Sequence, residues 1–381
     1  MLFGRKKYYF SYLSAVTAFV TVFYLVFAPV FLGFNSNFIS KVEAASVTWV
    51  GGVSGNWETG ANWSTGVPPT AADDVTISSS TANIAVTLTS GQTADFNSLT
   101  IGGDSTYYAT TTFTGNIGTG GAITVNTKGV LEQNNVVNQT ITGDLVIASG
   151  GKLTHATTTP DSTIRDKAVL FTVPNFNLQA GGLVDLIGKG FSKASCTLTT
   201  GTGPAAGVAG GSSASGGGHG GLGGQGGGST PSATKYAYDD MAAPTQPGSS
   251  GGPNSAICAG SGGGVINLTI AGGGTATISG TVSSTGANGA TNGFGRFSGA
   301  GAGGSVWVNF SSGGTFTGSG TIGALGGGAT GFSAGVADEG GGAGGGGRIA
   351  ITGQSTDTFT GTFAYSGGKN VKGPLAQDGG A

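Results

Sequence analysis

Residues able to do acid–base or metal chemistry are few in this chain. It holds 2 histidines, 17 acidic and 15 basic residues among 381. His155 follows Leu153 by two, so it shares that residue's face at a strand end. His219 stands among glycines, where its ring fills space or packs on Tyr236 or Tyr238. Three acidic pairs occur: Asp73-Asp74, Asp239-Asp240 and Asp338-Glu339. Calcium takes about 6–8 oxygens, several of them from carboxylates. Asp239 and Asp240, joined by carbonyls of the glycine turns around them, are therefore the candidate metal residues, with calcium as the ion they would suit. The EF-hand spacing and the calcium nonapeptide Gly-Gly-x-Gly-x-Asp are both absent from the sequence.

The Gly-x-Ser-x-Gly pattern occurs twice, over 248–252 around Ser250 and over 331–335 around Phe332 and Ser333. So much glycine and serine meets that pattern by chance. Neither copy follows a buried strand and opens a helix, as a nucleophile elbow must. Arg165-Asp166-Lys167 is the one dense ionisable run beyond the amino terminus, and it reads as a solvated turn. A β-helix polysaccharide lyase needs carboxylates and a basic residue in one groove, and a glycosidase needs two carboxylates across the cleaved bond. The sequence pairs no such groups, so no catalytic and no cofactor-binding residue is assigned.

Trp49, Trp57 and Trp63 are three of the four tryptophans. One reading makes Trp57 and Trp63 a glycan-binding platform. The favoured reading is an end cap, with large rings covering the open end of a stack of strands. Cys196 and Cys258 are the two cysteines, with no Cys-x-x-Cys spacing. In an oxidising compartment they could close a loop; two free thiols are the alternative.

The elements that would position these residues are β-strands. Glycine supplies 80 residues and charged residues only 8%, against roughly 7% glycine and about 25% charged in ordinary soluble domains. Glycine costs about 1 kcal/mol per helical position relative to alanine, so helices are disfavoured. A net charge of −2 offers nothing to nucleic acid or anionic lipid. Short apolar anchors recur at Ile101, Val125, Ile147 and Leu178, at intervals of 24, 22 and 31. Farther on, a glycine cluster, a strand and a Gly-Thr strand occur three times. Ile266, Val306 and Ile349 match at intervals of 40 and 43. Val282, Ile322 and Phe363 match at 40 and 41. One strand, a tight turn and a second strand per repeat predict an all-β parallel β-helix, or β-solenoid, with glycine-rich loop insertions. Asn-Gly and Asp-Gly hairpin turns are too scarce for a sandwich. The runs 110–112 and 157–159 of threonine do not recur from coil to coil, since the coil between them would place Asn134-Asn135 there. They read as ordinary strand residues rather than an ice-binding face.

Residues 1–44 read as a secretory signal peptide. Arg5, Lys6 and Lys7 precede a long uncharged stretch, and a small-residue site ends at Ala44-Ala45. The apolar stretch is long enough to serve as a membrane anchor if left uncleaved. The expected layout is then an aromatic-rich cap over 45–95, coils over 96–187 and a glycine-rich repeat region over 188–381. The last residues, Asp378-Gly379-Gly380-Ala381, open another glycine cluster. The chain therefore reads as truncated at that end.

Two stretches resemble known surface proteins. Thr48-Trp49-x-Gly51, Gly55-Asn56-Trp57, Asn62-Trp63 and Asp73-Asp74-Val75-x-Ile77 resemble the start of passenger-type β-helices in large bacterial, autotransporter-like adhesins. Gly188-Lys189-Gly190-Phe191, the stretch 216–221, Gly303-Gly304-Ser305-Val306 and Gly346-Gly347-Arg348-Ile349-Ala350-Ile351 resemble a glycine-rich module of bacterial surface proteins. The resemblance implies a secreted or cell-surface scaffold, structural or adhesin-like and without catalysis. Its expected partner is a polysaccharide, or a host or neighbouring cell surface. Membrane contact would come only through the amino-terminal segment. The alternative is a polysaccharide-binding or polysaccharide-cleaving enzyme on the same fold.

Overall fold

The computed structural model describes residues 44–193, 196, 200–227, 236–254, 257–292, 295–329, 340–369 and 379–380. The leader expected over 1–44 lies outside them except for Ala44, and so does Ser333. From Ser46 onward the chain winds as a parallel β-helix of three walls. The first wall stacks β1 (Ser46–Thr48), β3 (Asp74–Ile77), β5 (Thr93–Ile101), β7 (Asn116–Val125), β10 (Leu145–Ile147), β13 (Phe176–Leu178), β16 (Thr275–Ile278), β19 (Thr315–Gly318) and β22 (Thr356–Phe359). The second stacks β2 (Ser54–Asn56), β4 (Ile84–Leu88), β6 (Ala109–Phe113), β8 (Gly129–Gln133), β11 (Lys152–Thr154), β14 (Leu183–Asp185), β17 (Thr281–Ser283), β20 (Thr321–Gly323) and β23 (Thr362–Ala364). The third is shorter: β9 (Gln139–Thr140), β12 (Val169–Val173), β15 (Val265–Ile270), β18 (Ser305–Phe310) and β21 (Arg348–Thr352).

The cause is alternation. In most of the short strands one residue in two is apolar and points inward, where it stacks on its counterpart a coil away. Ile77, Ile101, Val125, Ile147, Leu178 and Ile278 form one such column, in register from coil to coil and at most 1% exposed. Each side chain of this kind contributes roughly 1.5–3 kcal/mol on burial. Outward positions carry threonine: Thr48, Thr76, Thr100 and Thr124 lie side by side on successive coils. Of the Thr110 run, only Thr112 stacks on another threonine, Thr87 in the coil before. Thr110, Thr111 and Thr112 pair with Val130, Leu131 and Glu132, not with Asn134-Asn135.

The glycine insertions all leave from one place, the passage from second wall to third. In three successive coils they occupy 186–264, 284–304 and 324–347. The first makes one coil very long, since Leu178 pairs directly with Ile278. The insertions lie against one another and exchange backbone hydrogen bonds. The Gly217 amide donates to Ala300 O (2.9 Å), the Gly345 amide to Gly217 O (2.9 Å), and the Gly303 amide to Gly345 O (2.9 Å). Glycine is required here for approach rather than for a left-handed turn. A Cβ on Gly301 would stand 2.0 Å from Ser261 O, and one on Gly344 1.9 Å from Gly301 O.

The expected cap is narrower than 45–95. The tryptophans belong to the first coil alone, while residues 74–95 already form β3, β4 and the start of β5. Residues 44–381 cluster as one compact unit, with no break near 95 or 187. The reason is that the inward column passes straight from Ile77 to Ile101 and from Leu178 to Ile278.

Candidate functional site

Trp57 and Trp63 do not form a platform. Their rings turn inward and are 1% and 2% exposed. Trp63 packs edge-on against Trp57 at 4.9 Å and against Trp49 at 5.2 Å, and Trp57 reaches Phe96 at 6.2 Å and Phe113 at 6.3 Å. The Trp63 indole N–H donates to Trp57 O at 2.7 Å. Nothing stacks above the first coil's side chains within the described residues, so the rings supply the missing layer of core. A sugar cannot reach either face.

Asp239 and Asp240 stand in different environments, the first engaged by hydrogen-bond donors and the second at an exposed turn. The Asp239 side chain is 4% exposed and is ringed by donors. Its Oδ1 accepts from the Asp240 amide (2.9 Å). Its Oδ2 accepts from the amides of Thr245 (2.9 Å) and Gln246 (2.8 Å) and from Ser305 Oγ (3.1 Å), with His219 Nε2 at 3.3 Å. Burial alone would raise its pKa. The hydrogen bonds from His219, Gln246 and Thr245 outweigh that, and the carboxyl is held below the usual range. Asp240 Oδ1 instead accepts the Ala242 amide (2.7 Å) at an exposed turn. Among the described residues no three His, Cys, Asp or Glu side chains converge on one point.

The two carboxylates point to a polar core that ties the first insertion to the coils. His219 is fully buried, packs on Tyr238 at 4.6 Å, and has Nδ1 2.8 Å from Gly303 O. Each ring nitrogen therefore faces an oxygen acceptor. Tyr238 OH donates to Pro247 O (2.5 Å) and accepts from Ser249 Oγ (3.0 Å). The Arg348 Nε–H donates to Tyr238 O (2.9 Å), and Arg165 Nη1 donates to Thr245 O (2.5 Å). Arg165 is thus half-buried beneath the insertion rather than in a solvated turn, because the loop's free carbonyls need donors. Ser250 is buried and accepts the Thr202 amide at 2.7 Å, with no histidine as partner. Cys196 and Cys258 are joined in a disulfide within this same insertion.

His155, like Leu153 and the intervening Thr154, is buried. Its Nδ1 lies 2.6 Å from Ala156 O, and its Nε2 accepts the Val265 amide at 3.0 Å. Burial pushes its pKa from 6.5 down to about 4. The Ala156 bond opposes the shift, and the charges of Lys189, Lys167 and Arg165 add to it.

An accessible concavity lies at the corner between the first and second walls of the first three coils. A cleft of about 500 Å³ is lined by Ser78, Ser79, Ser80, Thr81, Gly102, Gly103 and Asp104. It shares Ser78, Ser79 and Thr81 with a hollow of about 230 Å³ that is walled by Trp49, Val50, Gly52, Val53, Ala82 and Ile84. Two backbone hydrogen bonds hold Asp104 Oδ1, from Tyr107 (3.0 Å) and Thr106 (2.6 Å), and keep the carboxyl below its usual range. Sequence reasoning passed over this corner. The signal was present as a polar run, Ser78 to Thr81, longer than a strand-to-strand turn requires. Compared with known proteins, the chain matches no family model, no curated protein and no solved structure.

Proposed function

We propose that the chain is an extracellular structural scaffold of the adhesin-like kind, without catalytic activity. The observation that carries this reading is the use made of its ionisable groups. His155, His219, Asp239, Arg165 and Arg348 are each spent on bonds that hold loops to coils. What remains on the surface is a low-charge array of threonine, serine and asparagine on nine stacked coils. Such a ladder is stiff, because every coil pairs its backbone with the next. The apolar leader with its small-residue end supports export, and the glycine-rich motifs resemble those of bacterial surface proteins. Polysaccharide, or the surface of a host or neighbouring cell, is the partner this reading proposes.

The test is made on whole cells of the source organism. Antibody against residues 44–381 should label intact cells, and protease added outside should remove the epitope. Labelling only after permeabilisation would sink the proposal.

A further inference from the structure

Six of the nine corners between the first and second walls are closed by short turns. After β16, β19 and β22 two residues suffice, at 279–280, 319–320 and 360–361. After β7, β10 and β13 three or four are used, at 126–128, 148–151 and 179–182. The first three corners take five, six and seven, at 49–53, 78–83 and 102–108. The later coils show that the bend itself does not need this length. The additional residues stack on neighbouring coils and together make the cleft and the hollow beside it.

We propose that this corner cleft binds a neutral oligosaccharide. Its polar wall offers the hydroxyls of Ser78, Ser80 and Thr81, able to donate and to accept as sugar hydroxyls do, while Ser79 Oγ already accepts the amides of Thr81 and Ala82 (both 3.3 Å) and has its proton left to donate. Asp104 adds a carboxylate whose Oδ1 is occupied by backbone amides, while Oδ2 makes no hydrogen bond among the described residues. A free carboxylate oxygen accepts from neighbouring hydroxyls on one ring. The hollow supplies the apolar side: Val50 and Val53 are 57% and 63% exposed, beside the edge of Trp49. A pyranose presents that combination, with hydroxyls at its rim and C–H groups on its face. No Lys, Arg or His lines either part, and Asp104 repels acidic sugars. The walls are preorganised. The Tyr108 amide donates to Asn83 Oδ1 (2.8 Å) and the Ile84 amide to Tyr108 O (2.9 Å), fixing one loop to the next.

The experiment takes the full chain to an array of neutral and acidic oligosaccharides, followed by calorimetric titration of the bound ones. Neutral glycans should bind. Asp104→Asn keeps an acceptor for the two backbone amides but loses the carboxylate, and should weaken binding at least tenfold. Thr81→Trp should fill the cleft and abolish binding. Gln179→Ala, at a short corner three coils beyond, should bind as the parent does. All variants are checked for an unchanged melting temperature. Three outcomes overturn the proposal: no neutral glycan bound at millimolar concentration, acidic glycans bound as tightly as neutral ones, or both cleft variants binding like the parent. Any of these leaves the scaffold reading standing, since that rests on the coils and not on the cleft.

Discussion

His155 shows what a single buried residue sets in this chain. The imidazole accepts the Val265 amide and must stay neutral to do so. Its pKa is about 4 in the folded protein and 6.5 when exposed. The unfolded chain therefore takes up a proton first as pH falls. The stability this residue contributes is complete above 6.5 and is lost as pH drops toward 4, by on the order of 3 kcal/mol. Urea unfolding at pH 7.5, 5.5 and 4.2 should show that decline. In His155→Gln, which keeps an acceptor without the titration, the decline should shrink. An equal slope in both proteins would assign the effect to other groups. Asp239 teaches the opposite lesson about acidic pairs. A carboxylate beside glycine turns looked like a cation ligand, yet the amides of Asp240, Thr245 and Gln246 donate to it, and its oxygens are already satisfied. Its backbone is held at φ 74°, a region favoured by Gly, Asn and Asp.

At the scale of elements, the strands and the insertions are stabilised differently. Strands gain from apolar columns. Insertions have few side chains to bury and are held by backbone bonds, the polar core around His219 and the disulfide. The bridge spans 62 positions. Restricting such a loop in the unfolded chain is worth about 4 kcal/mol in the chain-entropy model. The double variant Cys196→Ser, Cys258→Ser should lose stability of up to that size. Hydrogen exchange should speed up in residues 200–254 while β3 to β8 stay protected. Loss of protection in those early strands instead would show that the insertion is needed by the whole stack. The register of the strands that follow the insertions was legible beforehand. Ile266, Val306 and Ile349 were matched by sequence, and the same three residues are Cα partners across β15, β18 and β21.

For the whole molecule, a stack in which each coil touches only its neighbours has stability that is a sum of local terms, and its ends are its weak points. The first coil is sealed by Trp49, Trp57 and Trp63. Trp57→Ala removes a ring packed on three aromatic neighbours and should cost about 3–5 kcal/mol. The loss should be directional, with amides of β1 to β4 exchanging before those of β10 to β17. Uniform loss across all coils would contradict the coil-by-coil account.

The sequence by itself determined the all-β class and the register of the repeated strands at Ile266, Val306 and Ile349. These follow from side-chain alternation and glycine spacing, which are local and repeat along the chain. It also narrowed the disulfide to one pair, since only Cys196 and Cys258 exist. Tertiary structure alone decided which way the polar and aromatic groups face. Trp57 and Trp63 were visible as a cluster, but their inward burial depends on Trp49, Phe96 and Phe113, which only the folded coils bring against them. Asp239 was visible as one of a pair, but its donors come from Thr245, Gln246, His219 and Ser305, brought together only when the insertion folds back on β18. The corner cleft was hidden for the same reason. Ser78 to Thr81 and Gly102 to Asp104 lie a coil apart in the chain, and stacking sets them side by side.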